Sequence, residues 1–246
     1  MPLYVSSDFS PNAVQPVECL KAGWELIKNE YWLFLGMTVV ALLIGQIAPM
    51  GVLLPPMMCG LYLALFRRMR GVPLEFSTLF EGFEFFGQSL IALLLHLLPV
   101  FAIFAVVGGM FVFSGAILVV TADAHGNGLP AAFIAMIILV GIVMAAMMLG
   151  LTVLFSFAYP LIVDRRLSGT EAVKLSVKAG WANFGALAGL LLLSFALGIA
   201  GLLCCYLGVF LVMPVTFAAS ACAYQQVFGL TPVQSMYPPP PPSHFR

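Results

Sequence analysis

Apolar residues in this chain do not recur with a short period; they run on. Four windows, 31 to 66, 85 to 122, 131 to 163 and 179 to 227, contain no Asp, Glu, Lys or Arg. Each exceeds the roughly 20 residues that carry a helix across a hydrocarbon core. A helix that is apolar all round must be surrounded by protein or by lipid, so the pattern predicts an all-α integral membrane protein. The first window divides at Pro49, Gly51, Pro55 and Pro56, which predicts spans over 31–47 and 51–68. The last divides near Gly201 and Gly208 into spans over 182–202 and 206–227. The window 85–122 is harder. As one helix it would run about 57 Å against a core of about 30 Å. A cut at Gly108-Gly109 leaves only 110–122, too short for a span. It is therefore read as one span with an apolar extension on the far side, kinked at Pro99 or at the glycine pair. Window 131–163 supplies a fourth, overlong span. The expectation is six transmembrane helices arranged as three hairpins.

Two of these hairpins look alike. Lys21-Ala22-Gly23-Trp24 returns as Lys178-Ala179-Gly180-Trp181 after 157 residues, and Pro56 and Gly71 return as Pro214 and Gly229 after 158. This predicts a duplicated module, parallel because both copies start on the same side. The chain then divides into a mobile tail (1–16), repeat A (17–71), a middle hairpin (72–166), repeat B (167–230) and a Pro-rich tail (231–246).

Composition agrees with the windows. Of 246 residues 62% are hydrophobic and 8% charged, where soluble domains carry roughly 25% charged residues. The basic residues also test the span count. With six spans, Lys21/Lys28, Arg67/Arg68/Arg70, Arg165/Arg166/Lys174/Lys178 and Arg246 all fall on one side. The positive-inside rule makes that side, with both termini, cytoplasmic. Residues 1–16 lack the basic start and apolar core of a cleavable signal. The tail YPPPPPSHFR, 237–246, predicts polyproline II, either a spacer or a ligand for an aromatic groove on a protein partner.

Two linkers read as amphipathic helices, either ordinary connectors anchored by aromatic and basic residues or helices lying in the membrane interface. Phe76, Leu79, Phe80, Phe83 and Phe86 share one helical face, with Ser77, Thr78, Glu81 and Glu84 opposite. Ser168-Gly169-Thr170-Glu171 fits a capping box that opens a second such helix, with Val173, Val177 and Trp181 at a spacing of four. Lys174 and Lys178 extend from it toward anionic headgroups.

The order of these parts carries a resemblance. An interfacial helix ending in Gly-Trp, a hairpin, a Gly stop, a middle hairpin, Phe157-Ala158-Tyr159-Pro160-Leu161-Ile162-Val163-Asp164-Arg165, a second interfacial helix, and a final hairpin with Pro214 and Ala223-Tyr224 follow one another over residues 17–229. The arrangement resembles a group of bacterial inner-membrane proteins that includes the YciC-like proteins and the membrane domain attached to some glycerophosphodiester phosphodiesterases. The resemblance implies a multi-pass protein of the bacterial cytoplasmic membrane. It implies no shared activity, and the phosphodiesterase domain has no counterpart in this chain.

Candidate chemistry is sparse. His96 is the intramembrane ionisable group, read as a neutral imidazole hydrogen-bonded to a neighbouring helix, with a functional role as the alternative. Asp123 and His125 read as a solvated turn, and His244 lies in the tail. Cys19, Cys59 and Cys222 read as small apolar fillers, Cys204-Cys205 as an adjacent pair too strained to bond, and Gly185 to Gly189 as a close-packing motif. No cofactor or metal site emerges. One polar cluster remains, at the basic end: Asp164, Arg165 and Arg166, with Asn183, placed to meet Arg67, Arg68 or Glu81. It reads either as a salt-bridged staple between hairpins or as a site for anionic headgroups. The function expected is non-enzymatic, in envelope organisation, lipid interaction or partner regulation, with a small transporter as the alternative. Membrane lipids, anionic ones included, are the expected partners, and nucleic acid is not.

Overall fold

The computed structural model describes residues 9–47, 51–124, 131–204 and 208–231, and every regular element among them is helical. In chain order these are α1 (Pro16–Ile27), α2 (Tyr31–Ile47), α3 (Leu54–Met69), α4 (Thr78–Glu81), α5 (Phe86–Ala124), α6 (Ala131–Phe155), α7 (Ala158–Arg165), α8 (Gly169–Ala182), α9 (Phe184–Cys204) and α10 (Gly208–Phe228). Five helical segments are long and apolar enough to cross a membrane: Pro16–Ile47, Thr78–Ile117, Ile134–Arg165, Phe184–Leu203 and Gly208–Phe228. The helix α3 has 16 residues, and most of them, from Pro55 to Phe66, are buried. It begins on Pro55 and Pro56, which fit a first turn because its N–H groups have no intrahelical acceptor. Being apolar on all sides, α3 takes the middle of the bundle, in contact with α2, α4, α5, α7 and α10.

Three short helices lie across the ends of the long ones. The helix α1 rests on α9 and α10, α4 and the 3₁₀ turn after it rest on α3, and α8 rests on α5 and α6. At each contact a glycine lets the backbones meet. A Cβ on Gly23 would lie 2.6 Å from the Ala219 nitrogen, one on Gly82 2.2 Å from the Pro56 oxygen, and one on Gly180 2.8 Å from the Val153 oxygen. An aromatic residue follows each glycine: Trp24, Phe83 and Trp181. Further along, the chain leaves α3, α7 and α10 through a left-handed residue each time, Gly71 (φ +69°), Arg166 (φ +50°) and Gly229 (φ +67°). The middle segment thus shares local geometry with the two segments whose sequences match.

Burial divides the bundle in two. Phe66, Phe157, Tyr224 and Phe228 form an aromatic core near the basic end, with ring centroids 5.1 to 6.2 Å apart. Toward the opposite end no side chain is buried from Phe101 to Gly115 on α5, from Ile134 to Gly150 on α6, or from Leu191 to Leu203 on α9.

Several expectations need correction. Residues 9–16 are not a free tail: the Ser10 N–H donates to the Val227 carbonyl at 2.8 Å and Val14 is buried. The window 85–122 is, from Phe86 on, one helix as expected: α5, of 39 residues, runs through Pro99 and Gly108-Gly109. The segment 76–86 is not one amphipathic helix; a single α-turn gives way to a 3₁₀ turn, Gly82–Phe85, before α5 begins. Thr78, assigned to the polar face, is fully buried because Arg67 reaches it. The capping reading at α8 does correspond to a bond: the Ser168 Oγ accepts from the Glu171 N–H at 3.3 Å. Trp181, expected to share a face with Val173, is exposed while Val173 is buried. Cys19, Cys59 and Cys222 are buried free thiols. His125, Cys205, His244, the segment 1–8 and the Pro-rich segment 237–246 lie outside the described residues.

Candidate functional site

The helices α3, α7 and α10 end at the same level, and their last residues meet. Asp164, at the end of α7, is fully buried and forms an ion pair with Arg70, whose side chain is only 7% exposed. The Tyr224 hydroxyl donates to Asp164 Oδ2 at 2.9 Å, and Thr231 Oγ1 donates to Oδ1 at 2.7 Å. Thus α7, the segment after α3, α10 and the segment after α10 all converge on one carboxylate. A carboxylate out of water is tolerated only with a counter-charge and with its lone pairs occupied, and both conditions hold here. Arg70 also lies 6.0 Å from the centre of the Phe66 ring, which joins the ion pair to the aromatic core.

Of the other arginines, Arg165 approaches this site through the Tyr224 hydroxyl, and the rest engage partners elsewhere. Arg67 grips both oxygens of Glu81 and donates to Thr78 Oγ1 at 2.9 Å. Arg68 pairs with Glu30 at 3.2 Å and donates to the Leu26 carbonyl. Arg165 donates to the Phe228 carbonyl at 3.0 Å and stacks on that ring, 5.1 Å from its centre. Arg166 faces Glu84 at 4.0 Å, both well exposed, and lies over Phe85. Asn183 stands apart from all of them: its Oδ1 accepts from the Ala13 N–H at 3.0 Å and its Nδ2 donates to the Ala179 carbonyl, tying the amino-terminal segment to α8. The expected cluster of Arg67, Arg68, Glu81, Asp164, Arg165, Arg166 and Asn183 is therefore a series of clasps, in which Asp164 and Arg165 meet at the Tyr224 hydroxyl and the others stand apart. The partner of Asp164 is Arg70, not Arg67, Arg68 or Glu81. Arg70 was legible only as part of a basic run; its turn of helix points it toward α7, and Thr231 joins because Gly229 reverses the chain back over Asp164.

A second polar locus lies deeper, where the packed half meets the open half. It is a cavity of about 260 Å³ walled by α3, α5, α6, α7, α9 and α10, with Tyr62, His96, Ser156, Tyr159, Leu191 and Ser220 among its lining. The wall between α6 and α7 is a break in the helix. Pro160 has no N–H to give the Ser156 carbonyl, so the ladder stops at Ser156-Phe157. Ser176 of α8 repairs part of the damage by donating to the Leu154 carbonyl at 2.8 Å and accepting from the Phe157 N–H at 3.1 Å. His96 does not make the hydrogen bond expected of it. Its ring stands edge-on to Phe155, centroids 4.6 Å apart, and among the described residues it has no hydrogen-bond partner. In the small-residue motif a Cβ on Gly189 would meet Pro16 at 3.5 Å, whereas one on Gly185 would meet nothing within 4 Å.

Among the described residues no group of three His, Cys, Asp or Glu is placed to hold a metal ion. Comparison with protein families, with characterised proteins and with solved structures finds no match to this chain.

Proposed function

We propose that the chain is a non-enzymatic six-span protein of a bacterial inner membrane that acts through lipid interaction, in envelope organisation or in regulating a partner. The observation that carries this reading is the division of its cations. Arginines at the helix ends are taken up by carboxylates and carbonyls. Lys21, Lys174 and Lys178 are exposed on α1 and α8 and have no ion-pair partner among the described residues. Ammonium groups so placed at an interface each attract an anionic surface by about 1 kcal/mol. The sixth span in this reading is α3, too short by itself but sheathed by five other helices. The spans then form three hairpins, α2 with α3, α5 with α6 and α9 with α10, with the first and last as copies. The shared glycine contacts and left-handed turns support a middle hairpin of the same origin. The resemblance to the YciC-like group stands as a proposal on the order of these parts.

One observation favours a second reading, a small transporter: the break at Ser156-Phe157 beside the cavity is the kind of interrupted helix on which carriers build binding sites.

Lipid analysis tests the first reading. Changing Lys21, Lys174 and Lys178 together to Gln should lower the anionic lipid retained through purification. Changing Arg67, Arg68, Arg165 and Arg166 to Gln should lower thermal stability while the folded fraction keeps its lipid. Full retention by the lysine variant would end the reading. Reporter fusions after residues 71 and 170 should report the cytoplasm, and those after 126 and 204 the opposite face; any inversion breaks the six-span count.

A further inference from the structure

The cavity's lining holds hydroxyls whose hydrogens are already spent and groups that still have a hydrogen to give. Ser220 gives its hydrogen to the Thr216 carbonyl at 3.0 Å and is bonded to the Tyr62 hydroxyl, so that pair is settled within the wall. Two further hydroxyls have already given their hydrogens to their own helices: Thr152 to the Met148 carbonyl at 2.8 Å and Ser156 to the Val153 carbonyl at 2.6 Å. Each therefore offers the cavity lone pairs only. The Ser156 carbonyl, deprived of its donor by Pro160, adds another acceptor. On the other side, the Tyr159 hydroxyl and the His96 imidazole line the cavity with no hydrogen-bond partner among the described residues. Out of water such groups are costly to leave unmet, so they are the ones a ligand would engage.

What completes it must both donate and accept, must be compact, and must carry no charge. Among the described residues the cavity lining contains no Lys, Arg, Asp or Glu, so a phosphate or ammonium head would enter unpaired. Its volume of about 260 Å³ leaves room for a small head and a few carbons. Thr152, on the rim, is exposed on α6, and past it lie the exposed apolar surfaces of α5 and α6, along which an alkyl chain can continue. The geometry points to a binding site for a single-chain amphipath whose head is a hydroxyl or a protonated carboxyl: a long-chain alcohol or a fatty acid. The head accepts from Tyr159 and His96 and donates to one of the spent hydroxyls or to the Ser156 carbonyl. This rests on the lipid-interaction reading and names the lipid.

The test uses the full chain purified in mild detergent, titrated separately with radiolabelled hexadecanoic acid and hexadecanol, with phosphatidylglycerol as competitor. At least one probe should bind saturably and resist displacement by phosphatidylglycerol; the one that binds tighter identifies the head. Tyr159→Phe, which removes one oxygen and keeps the ring, should weaken that binding about tenfold. Leu191→Trp, which fills the cavity from its apolar side, should abolish it, and the melting temperature of each variant reports that it is folded. No saturable binding of either probe, or binding unchanged in folded Tyr159→Phe and Leu191→Trp, overturns the site. So does displacement of the probe by phosphatidylglycerol. Because the exposed lysines lie outside the cavity, loss of this site with anionic lipid still retained would leave the broader lipid-interaction reading standing.

Discussion

The two ends of this bundle are made of the same apolar residue types, yet they are not the same material. At the basic end Phe157, Tyr224, Leu161 and Phe66 are almost wholly buried, and α1, the 3₁₀ turn after α4, and α8 are each pressed onto a neighbour through a glycine. At the other end Phe113, Val112 and Met110 are about 70% exposed, and the glycines Gly108, Gly109 and Gly141 would accept a Cβ without touching anything. The difference teaches that hydropathy in a membrane chain marks where a residue can lie, not what it contacts. A residue such as Phe113 suits lipid as well as Phe157 suits protein, so hydropathy by itself does not mark the packed end.

Substitutions matched across the two ends are the way to break this comparison. The largest effect is expected at Gly82→Ala, because the new carbon would lie 2.2 Å from one backbone oxygen and 2.4 Å from the Gly60 nitrogen; folded protein should be lost on size exclusion in mild detergent. Phe157→Ala empties the centre of the aromatic core and should cost about 3–5 kcal/mol, whereas Phe113→Ala should leave the melting temperature nearly unchanged. A smaller loss, about 1 kcal/mol, is expected for Arg67→Gln, whose Glu81 clasp is partly exposed. The smallest effect should come from Gly141→Ala, neutral or stabilising by up to about 1 kcal/mol through helix propensity. Equal melting shifts for Gly82→Ala and Gly141→Ala would dissolve the distinction between the ends.

Much of the fold was legible because it depends on runs of one residue type. Charge-free windows located the long helices to within a few residues, and Pro55-Pro56 marked the start of α3. The candidate site was legible only in part. Asp164 and Tyr224 were visible as markers 60 residues apart, but no periodicity joins them; they meet because α3, α7 and α10 end at one level. Arg70 hid inside a basic run that read as a topology signal. His96 was noticed for being ionisable, yet its importance comes from Tyr159 and from the break at Pro160, which become neighbours of His96 only around the cavity.

The central claim is that the packed end is closed by the buried contact between Arg70 and Asp164. A double-mutant cycle with Arg70→Met and Asp164→Leu, read as melting in mild detergent, tests it most directly. Each single change strands a buried charge and should cost about 3–5 kcal/mol. The double variant, with an apolar contact in place of the ion pair, should be more stable than either single one. Losses that simply add would contradict the account, because Arg70 and Asp164 would then be acting on the fold independently.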